Sequence, residues 1–132
     1  MDDKYRALII DDSAQYRIII TKLLENLGFK NIETAEDGKA GVAKVKSLKP
    51  HIIYLDGVMP TMDGLTALRE IKKESPNTVV VISSSLSEKA KVLRFKEAGA
   101  DFYLLKPYDR ALFEEVTGKA IAILEIRMRG NS

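Results

Sequence analysis

The segment IIYLDGVMPTMDG, residues 52–64, decides the fold, because an apolar run within it stops abruptly at an acid. The four residues before Asp56 are apolar or aromatic, as in a strand that is buried in a sheet. Gly57 and Pro60, which follow the acid, are typical of a turn. A carboxylate at the carboxyl end of a buried strand is held at the rim of the sheet, half removed from water. This placement suits a nucleophile or a metal ligand.

Two other apolar runs also end at charged residues. Residues 7–10 are followed by Asp11 and Asp12, and residues 103–105 are followed by Lys106. If the three strands lie parallel in one sheet, three carboxylates and one ammonium meet at the same edge. This cluster is the strongest indication of what the chain does.

Short β-branched runs alternate with longer segments of helical period along the whole chain. Strands are predicted at about residues 6–10, 31–35, 52–56, 78–84 and 101–105. Helices are predicted at about residues 14–27, 38–48, 64–74, 88–98 and 110–127. Five such units predict an α/β fold with a doubly wound parallel sheet, right-handed crossovers and helices on both faces. Ligands bind such sheets outside the carboxyl ends of the strands, where the acids lie.

Length and composition restrict the class of protein. A chain of 132 residues fits one domain, 1–132, with a core at about residues 5–126. The absence of cysteine excludes disulfides and thiolate metal sites. A net charge of +2 is too small to indicate nucleic acid or a membrane surface as a partner. The first residues contain no apolar stretch typical of a signal peptide, so we expect a cytoplasmic protein.

Four motifs, each at the end of its own strand, together resemble the response-regulator receiver domain. They are Asp11-Asp12 after strand one, residues 56–64 after strand three, a serine after strand four and Lys106-Pro107 after strand five. The resemblance covers residues 5 to about 126 and implies a flavodoxin-like sheet of five strands in the order 2-1-3-4-5 with five helices.

The resemblance assigns a role to each charged residue of the cluster. Asp56 is implied to be the phosphoacceptor, which attacks a phosphohistidine of a sensor histidine kinase. Mg²⁺ is implied as the cofactor, held by the side chains of Asp12 and Asp56, by the backbone carbonyl of Val58, and by Asp11 mainly through water. Clustered carboxylates recruit a cation on physical grounds alone, and Mg²⁺ readily shares its shell with water and phosphate oxygens. Lys106 is implied to neutralise the phosphoryl group.

The hydroxyl that senses the phosphoryl group is ambiguous because three serines run together at residues 83–85. Counting the aliphatic residues after Thr78 favours Ser83. The spacing favours Ser84, which lies 28 residues after Asp56 and 22 before Lys106, both usual in receivers. We prefer Ser84, since two spacings agree.

Tyr103, Tyr108 and His51 are three further residues with a predicted role or place. Tyr103 occupies the position where receivers often carry an aromatic whose rotamer follows the switch hydroxyl, although half-buried aromatics are also ordinary on edge strands. Tyr108 is expected to pack, and the Lys106-Pro107 bond is cis in relatives. His51 begins strand three, at the end opposite the acids, and is expected to have no catalytic or metal role.

Other classes of protein lack their signatures. A dinucleotide-binding fold would need a glycine-rich loop after strand one, and residues 11–15 contain no glycine. A haloacid-dehalogenase-type phosphatase would need a second aspartate two residues after Asp56, where Val58 stands. The chain is therefore not expected to be an enzyme, beyond promoting its own phosphorylation and dephosphorylation.

The function expected is that of a chemotaxis-type response regulator, a monomer or weak dimer, that switches its affinity for a downstream protein. The alternatives are a phosphorelay intermediate, which passes the phosphoryl group to a histidine phosphotransfer domain, and a phosphate sink. Helix four, strand five and helix five are expected to form the docking surface. Helix four is basic through Lys89, Lys91, Arg94 and Lys96, and helix five is apolar late, through Ile121, Ile123, Leu124 and Ile126.

Overall fold

Strands and helices alternate strictly along the chain in the computed structural model, which describes residues 4–130. The strands are β1 (Arg6–Ile10), β2 (Asn31–Ala35), β3 (Ile52–Leu55), β4 (Val79–Ser84) and β5 (Phe102–Leu105). The helices are α1 (Ala14–Asn26), α2 (Gly38–Leu48), α3 (Gly64–Glu74), α4 (Lys89–Glu97) and α5 (Arg110–Gly130). The predicted elements all exist, and the largest difference is in α5, which continues to Gly130 rather than to residue 127.

All five strands pair in parallel in one sheet, in the order β2-β1-β3-β4-β5. This confirms the fold class and the strand order that the resemblance implied. In a parallel sheet every strand ends at the same edge, so the residues that follow β1, β3, β4 and β5 are close in space.

Side chains that alternate along the central strands supply two cores, one on each face of the sheet. Ile9, Tyr54 and Val81 pack on the face covered by α1 and α5. Ile53 and Ile82 pack on the opposite face, against α2, α3 and α4. Every residue of β3 and β4 is buried, as their continuous apolar sequences predicted.

Four of the helices between residues 4 and 130 begin with a side-chain cap, and in α5 the cap is Asp109, which accepts the Leu112 N–H at 2.8 Å. Ser13, Asp37 and Asp63 each accept a hydrogen bond from the backbone N–H of the residue three positions on, at 3.3, 2.8 and 2.8 Å respectively. Such caps satisfy amide groups that have no partner within the helix. They fix where the chain turns from strand end into helix, and therefore the path of the loops at the acidic edge.

The last turns of α5 are anchored at the other edge of the sheet. Arg127 donates to the Asp101 carboxylate at 2.7 Å, and Lys72 of α3 donates to the other oxygen of that carboxylate at 3.0 Å. Asp101 also accepts from the Val80 N–H at 2.9 Å. Between residues 4 and 130 no helix has both the length and the apolar character needed to cross a bilayer.

Two glycines, one exposed and one buried, provide a matched test of stability. Gly118, exposed on α5, has open space where a Cβ would stand, so Gly118→Ala should raise the free energy of unfolding by about 1 kcal/mol. A Cβ at Gly41 of α2 would lie 2.5 Å from the Ile10 side chain, so Gly41→Ala should lower that free energy. Urea denaturation of both variants checks this, and a Gly41→Ala protein as stable as wild type would contradict the packing of α2 on β1.

Candidate metal centre

Three carboxylates converge at the carboxyl edge of the sheet. Asp11 and Asp12 follow β1, Asp56 follows β3, and one oxygen from each lies within 4.8 Å of the others. Asp11 and Asp56 are buried, at 1% and 6% exposure, whereas Asp12 is exposed. Two of three crowded carboxylates are thus removed from water, which makes their charge costly unless a partner offsets it.

Backbone hydrogen bonds fix the relative positions of these residues. The Asp56 N–H donates to the Ile10 carbonyl at 2.8 Å, and the Asp11 N–H donates to the Ala35 carbonyl at 3.1 Å. The Lys106 N–H donates to the Ser84 carbonyl at 2.8 Å. The ladders therefore continue one residue past the strands, and the side chains project from a rigid frame.

Glycines let neighbouring segments approach Asp56 closely. A Cβ at Gly64, the first residue of α3, would lie 2.5 Å from the Asp56 carbonyl oxygen. A Cβ at Gly57 would lie 2.8 Å from the Ser84 hydroxyl oxygen. Both contacts are too short for any other residue, which explains why the motif after Asp56 requires glycine at these two positions.

Lys106 supplies the one ammonium found among the described residues of the cluster. Its Nζ lies 2.9 Å from Asp11 Oδ2 and 3.8 Å from Asp56 Oδ2, and the side chain is 11% exposed. The other carboxylate oxygen of Asp11 and of Asp56 accepts a backbone hydrogen bond. The Ser13 N–H donates to Asp11 Oδ1 at 2.9 Å, and the Val58 N–H donates to Asp56 Oδ1 at 3.1 Å. The Lys106-Pro107 bond is cis.

The pKa of Asp56 shows that the negative charge is incompletely offset. The pKa of Asp56 is raised to about 7, mainly by burial and also by hydrogen bonding with Asp12 and the charge of Asp11. The Val58 N–H and the Lys106 ammonium oppose the rise. Three carboxylates facing one ammonium match a hard divalent cation, which accepts carboxylate oxygens and tolerates water in the rest of its shell. The residues present therefore fit a Mg²⁺ ion.

The two candidate switch hydroxyls lie on opposite faces of the sheet. Ser84 faces the side of Gly57, the residue after Asp56. Ser83 faces the other side, where its hydroxyl is 2.9 Å from the Tyr108 hydroxyl. The structure thus places Ser84, rather than Ser83, beside Gly57, the residue that follows Asp56.

Tyr103 is half-buried on β5, on the same face as Ser84. Its hydroxyl donates to the Leu86 carbonyl at 2.6 Å, and its ring lies 6.0 Å from that of Phe95. Burial raises the pKa of the Tyr103 phenol, hydrogen bonding with Ser84 opposes the rise, and the charge of Asp56 adds to it. Tyr103 therefore contacts both the segment that follows β4 and the buried side of α4.

Sequence reasoning missed two contacts made by the first turn of α1. The Tyr16 ring lies beneath the Lys106 ammonium, 4.0 Å from Nζ to the ring centroid. The Arg17 guanidinium donates to the Asp11 carbonyl at 2.6 Å. Their position in the sequence is the one indication of these contacts, because both residues lie in the first helical turn after Asp11 and Asp12.

His51 lies at the amino end of β3, away from the acids, as predicted. Its Nδ1 accepts the Arg6 backbone N–H at 2.9 Å, and its ring packs edge-on against Tyr5. Burial and the nearby Arg6 charge lower the pKa of His51. The observed contacts of His51 are therefore a hydrogen bond and ring packing at this edge.

Known proteins resemble the chain over most of its length. The family described as "Response regulator receiver domain" matches residues 7–117. The chemotaxis protein CheY of Thermotoga maritima is 33% identical over 114 residues, which are 86% of this chain and 95% of that protein. A protein-glutamate methylesterase/protein-glutamine glutaminase of Geobacter sulfurreducens is 45% identical over 114 residues, but the chain spans only 30% of its length.

A solved structure agrees with the fold and with the family. The CheX-CheY-BeF3-Mg+2 complex from Borrelia burgdorferi contains a chain that superposes with a TM-score of 0.85 at 33% identity. The match covers 89% of this chain and 89% of that one.

The raised pKa of Asp56 predicts a pH-dependent stability. The folded protein holds the Asp56 proton more tightly than the unfolded chain, whose carboxyl group titrates near 3.8. The resulting stabilisation is complete below that value and is lost as the pH rises to about 7. Asp56→Asn should therefore be more stable than wild type at pH 8 by at least about 1.4 kcal/mol, the equivalent of one pKa unit, but not at pH 4.

Urea denaturation with a metal chelator at both pH values measures this difference. Glu36→Gln, which removes an exposed acid beyond the cluster, should keep the pH dependence of wild type. An Asp56→Asn protein with the same pH dependence as wild type would contradict the electrostatic description of the site.

Proposed function

The chain belongs to the response regulator receiver domain family, and from this premise we propose that Asp56 accepts a phosphoryl group from a sensor histidine kinase. The observation that carries the proposal is the position of Asp56, a buried carboxylate within 4.8 Å of two others and 3.8 Å from the Lys106 ammonium. The site differs in this from Asp101, a structural acid whose charge is offset by both Lys72 and Arg127.

The transfer follows from the chemistry of the donor. An oxygen of the ionised Asp56 carboxylate attacks the phosphorus atom of a phosphohistidine, and the P–N bond breaks. The bonding electrons leave with the imidazole, and Asp56 becomes an acyl phosphate. Such a transfer requires alignment and charge neutralisation more than covalent help from the protein.

Receiver domains bind Mg²⁺ in an acidic pocket, and the cluster supplies the ligands for it here. We assign the Asp12 and Asp56 side chains and the Val58 carbonyl as direct ligands. Asp11 is assigned a contact through water, because both of its oxygens already accept hydrogen bonds, from Ser13 and Lys106. A bound Mg²⁺ neutralises charge on the phosphoryl oxygens.

Lys106 contributes the second positive charge. Its ammonium pairs with Asp11 and lies within 4 Å of Asp56, so a small movement brings it onto a phosphoryl oxygen. We propose that this exchange of partners, from Asp11 to the phosphoryl group, accompanies phosphorylation.

Ser84 and Tyr103 are proposed to report the phosphoryl group to the surface. The Ser84 side chain lies beside Gly57, next to the acceptor, and its hydroxyl already accepts the Leu86 N–H at 3.2 Å. The Tyr103 hydroxyl donates to the carbonyl of that same residue, Leu86. A movement of Ser84 toward a phosphoryl oxygen therefore disturbs the segment that holds Tyr103.

The proposed docking surface combines exposed apolar side chains with exposed basic ones. Leu93 of α4, Leu105 of β5 and Leu112 of α5 are 52%, 46% and 42% exposed. A groove of about 300 Å³ on α4 is lined by Ser87, Lys89, Val92, Leu93 and Lys96. Such a surface suits an amphipathic segment that carries acids.

The late apolar residues of α5 contribute less to this surface than the sequence suggested. Leu124 is buried, and Ile121 and Ile123 are half-buried against the core of the α1 and α5 face. Ile126 alone of the four is exposed. The apolar part of the docking surface is therefore assigned to Leu93, Leu105 and Leu112.

Signalling of the chemotaxis type is the output that the relatives favour, since CheY of Thermotoga maritima matches along nearly its whole length. The proposal includes a cytoplasmic protein without enzymatic activity on other molecules, a monomer or weak dimer. Related receiver domains also occur in methylesterases, of which this chain spans less than a third.

A second candidate function, relay of the phosphoryl group to a histidine phosphotransfer domain, is favoured by one observation. Ile18 and Ile19 of α1 are exposed, beside a groove of about 350 Å³. Helices of a partner could pack there.

Phosphorylation by acetyl phosphate tests the site directly. Wild-type protein should gain one acid-labile phosphate in the presence of Mg²⁺ and none with a chelator. Asp56→Asn should gain none, because an amide does not attack phosphorus, and Asp12→Ala should be at least about tenfold slower, because the cation loses a ligand.

Asp37→Asn is the matched control for this assay. Asp37 follows β2 at the same edge and caps α2, a role that asparagine fills equally well. It should label like wild type. Stoichiometric labelling of Asp56→Asn at another residue would show that the acceptor is assigned wrongly.

Beryllofluoride, an analogue of the phosphoryl group, separates the two serines and maps the responding surface. Amide shifts on its addition to wild type should concentrate at residues 84–110. Ser84→Ala should bind beryllofluoride but lose most shifts in α4 and β5, whereas Ser83→Ala should keep them. The opposite pattern would assign the switch to Ser83, and a partner footprint confined to α1 would favour the relay.

A further inference from the structure

The environment of the Lys106 ammonium contains an aromatic face as well as two carboxylates. Nζ lies 4.0 Å from the centroid of the Tyr16 ring and 2.9 Å from Asp11 Oδ2. A lysine ammonium within about 6 Å of a ring face is attracted by the negative charge of that face, more strongly where water is excluded. With 11% of the Lys106 side chain exposed, most of the surrounding water is excluded.

The ring is fixed to the segment that carries the acids. The Tyr16 N–H donates to the hydroxyl of Ser13, the residue that caps α1, at 3.3 Å. The neighbouring Arg17 donates to the Asp11 carbonyl at 2.6 Å. The first turn of α1 and the Asp11 backbone are therefore held together, and the ring keeps a constant position relative to the carboxylates.

A chain of aromatic rings supports Tyr16 from the core side. Its ring centroid lies 6.1 Å from that of Tyr108, whose hydroxyl is hydrogen-bonded to the Ser83 hydroxyl. The Tyr108 ring stacks on Phe113 at 6.1 Å, and Phe113 stacks on Tyr54 of β3 at 5.0 Å. The orientation of the ring is thus set by packing that extends into the buried sheet.

We propose that Tyr16 is a positioning residue that keeps the Lys106 ammonium directed toward the phosphoacceptor. The proposal rests on the proposed function, in which Lys106 binds the phosphoryl group on Asp56. It adds a residue, and a kind of interaction, that the four receiver motifs do not contain.

The physical reason lies in the difference between a carboxylate and a ring as partners of an ammonium. Lysine is a point charge on a flexible stem, and an ion pair with Asp11 alone would hold it away from Asp56. The attraction of a ring face has little directional preference within the face. The ammonium can therefore move from Asp11, at 2.9 Å, toward Asp56, at 3.8 Å, and stay in contact with the ring.

Rates of phosphorylation by acetyl phosphate with saturating Mg²⁺ test the proposal. Tyr16→Phe retains the ring face and loses only the hydroxyl, so its rate should lie within about twofold of wild type. Tyr16→Leu retains apolar bulk but loses the face, and its rate should be roughly 3- to 10-fold lower. Thermal unfolding of each variant establishes that the protein assayed is folded.

A double-mutant cycle with Lys106→Met shows whether Tyr16 acts through Lys106. Lys106→Met alone should be slower than wild type, and Tyr16→Leu should not slow the Lys106→Met protein further. Three results overturn the inference: a wild-type rate for Tyr16→Leu, an equal loss in Tyr16→Phe, or an undiminished effect of Tyr16→Leu in the Lys106→Met protein. A wild-type rate for Lys106→Met would instead contradict the role of Lys106 in the proposed function.

Discussion

A cluster of three carboxylates, two of which share one ammonium, is the constraint on which the rest of the structure depends. Asp11 and Asp56 are buried, so their charges are poorly screened, and the pKa of Asp56 rises to about 7 in response. The folded chain holds these groups together at a cost in stability, and such crowding of carboxylates favours the binding of a cation. A ligand that neutralises the excess negative charge of such a site stabilises the folded protein.

The sheet makes this crowding possible by holding the strand ends rigidly. Backbone hydrogen bonds at Asp11, Asp56 and Lys106 continue the ladders beyond the strands, so the repelling side chains cannot separate by moving the backbone. The alternation of β4 then divides the surroundings of the site between two faces. Ser84 faces Gly57 and Tyr103 on one side, while Ser83 bonds to Tyr108 on the other, next to Tyr16. One edge of the sheet is thus connected to the α4 surface through one core and to the α1 and α5 helices through the other.

The sequence predicted the parts of the fold that depend on local pattern. Continuous apolar runs located β3 and β4 to within one residue, because strands buried on both faces leave few alternatives. The acids of the cluster were identified because each follows such a run. The strand order came from the family resemblance, since periodicity does not specify which strands are neighbours.

Other features depend on tertiary contacts that no local pattern encodes. Counting and spacing disagreed over Ser83 and Ser84, and only the alternation of side chains on the paired strand shows which one faces Gly57. The contact between Tyr16 and Lys106 joins residues of α1 and of the loop after β5, whose distance is set by how the helix packs on the sheet. The sequence predicts that the late apolar residues of α5 belong to the docking surface, whereas the packing of that helix turns Leu124 into the core.

A crystal structure of the protein with Mg²⁺ and beryllofluoride shows directly which carboxylate carries the phosphoryl analogue. We expect beryllium bonded to an Asp56 oxygen, the cation in contact with Asp12 and Asp56, and the Lys106 ammonium moved from Asp11 to a fluoride while remaining over the Tyr16 ring. Beryllofluoride bound to a different carboxylate, or an Asp56 adduct in which Lys106 still pairs with Asp11, would contradict this expectation.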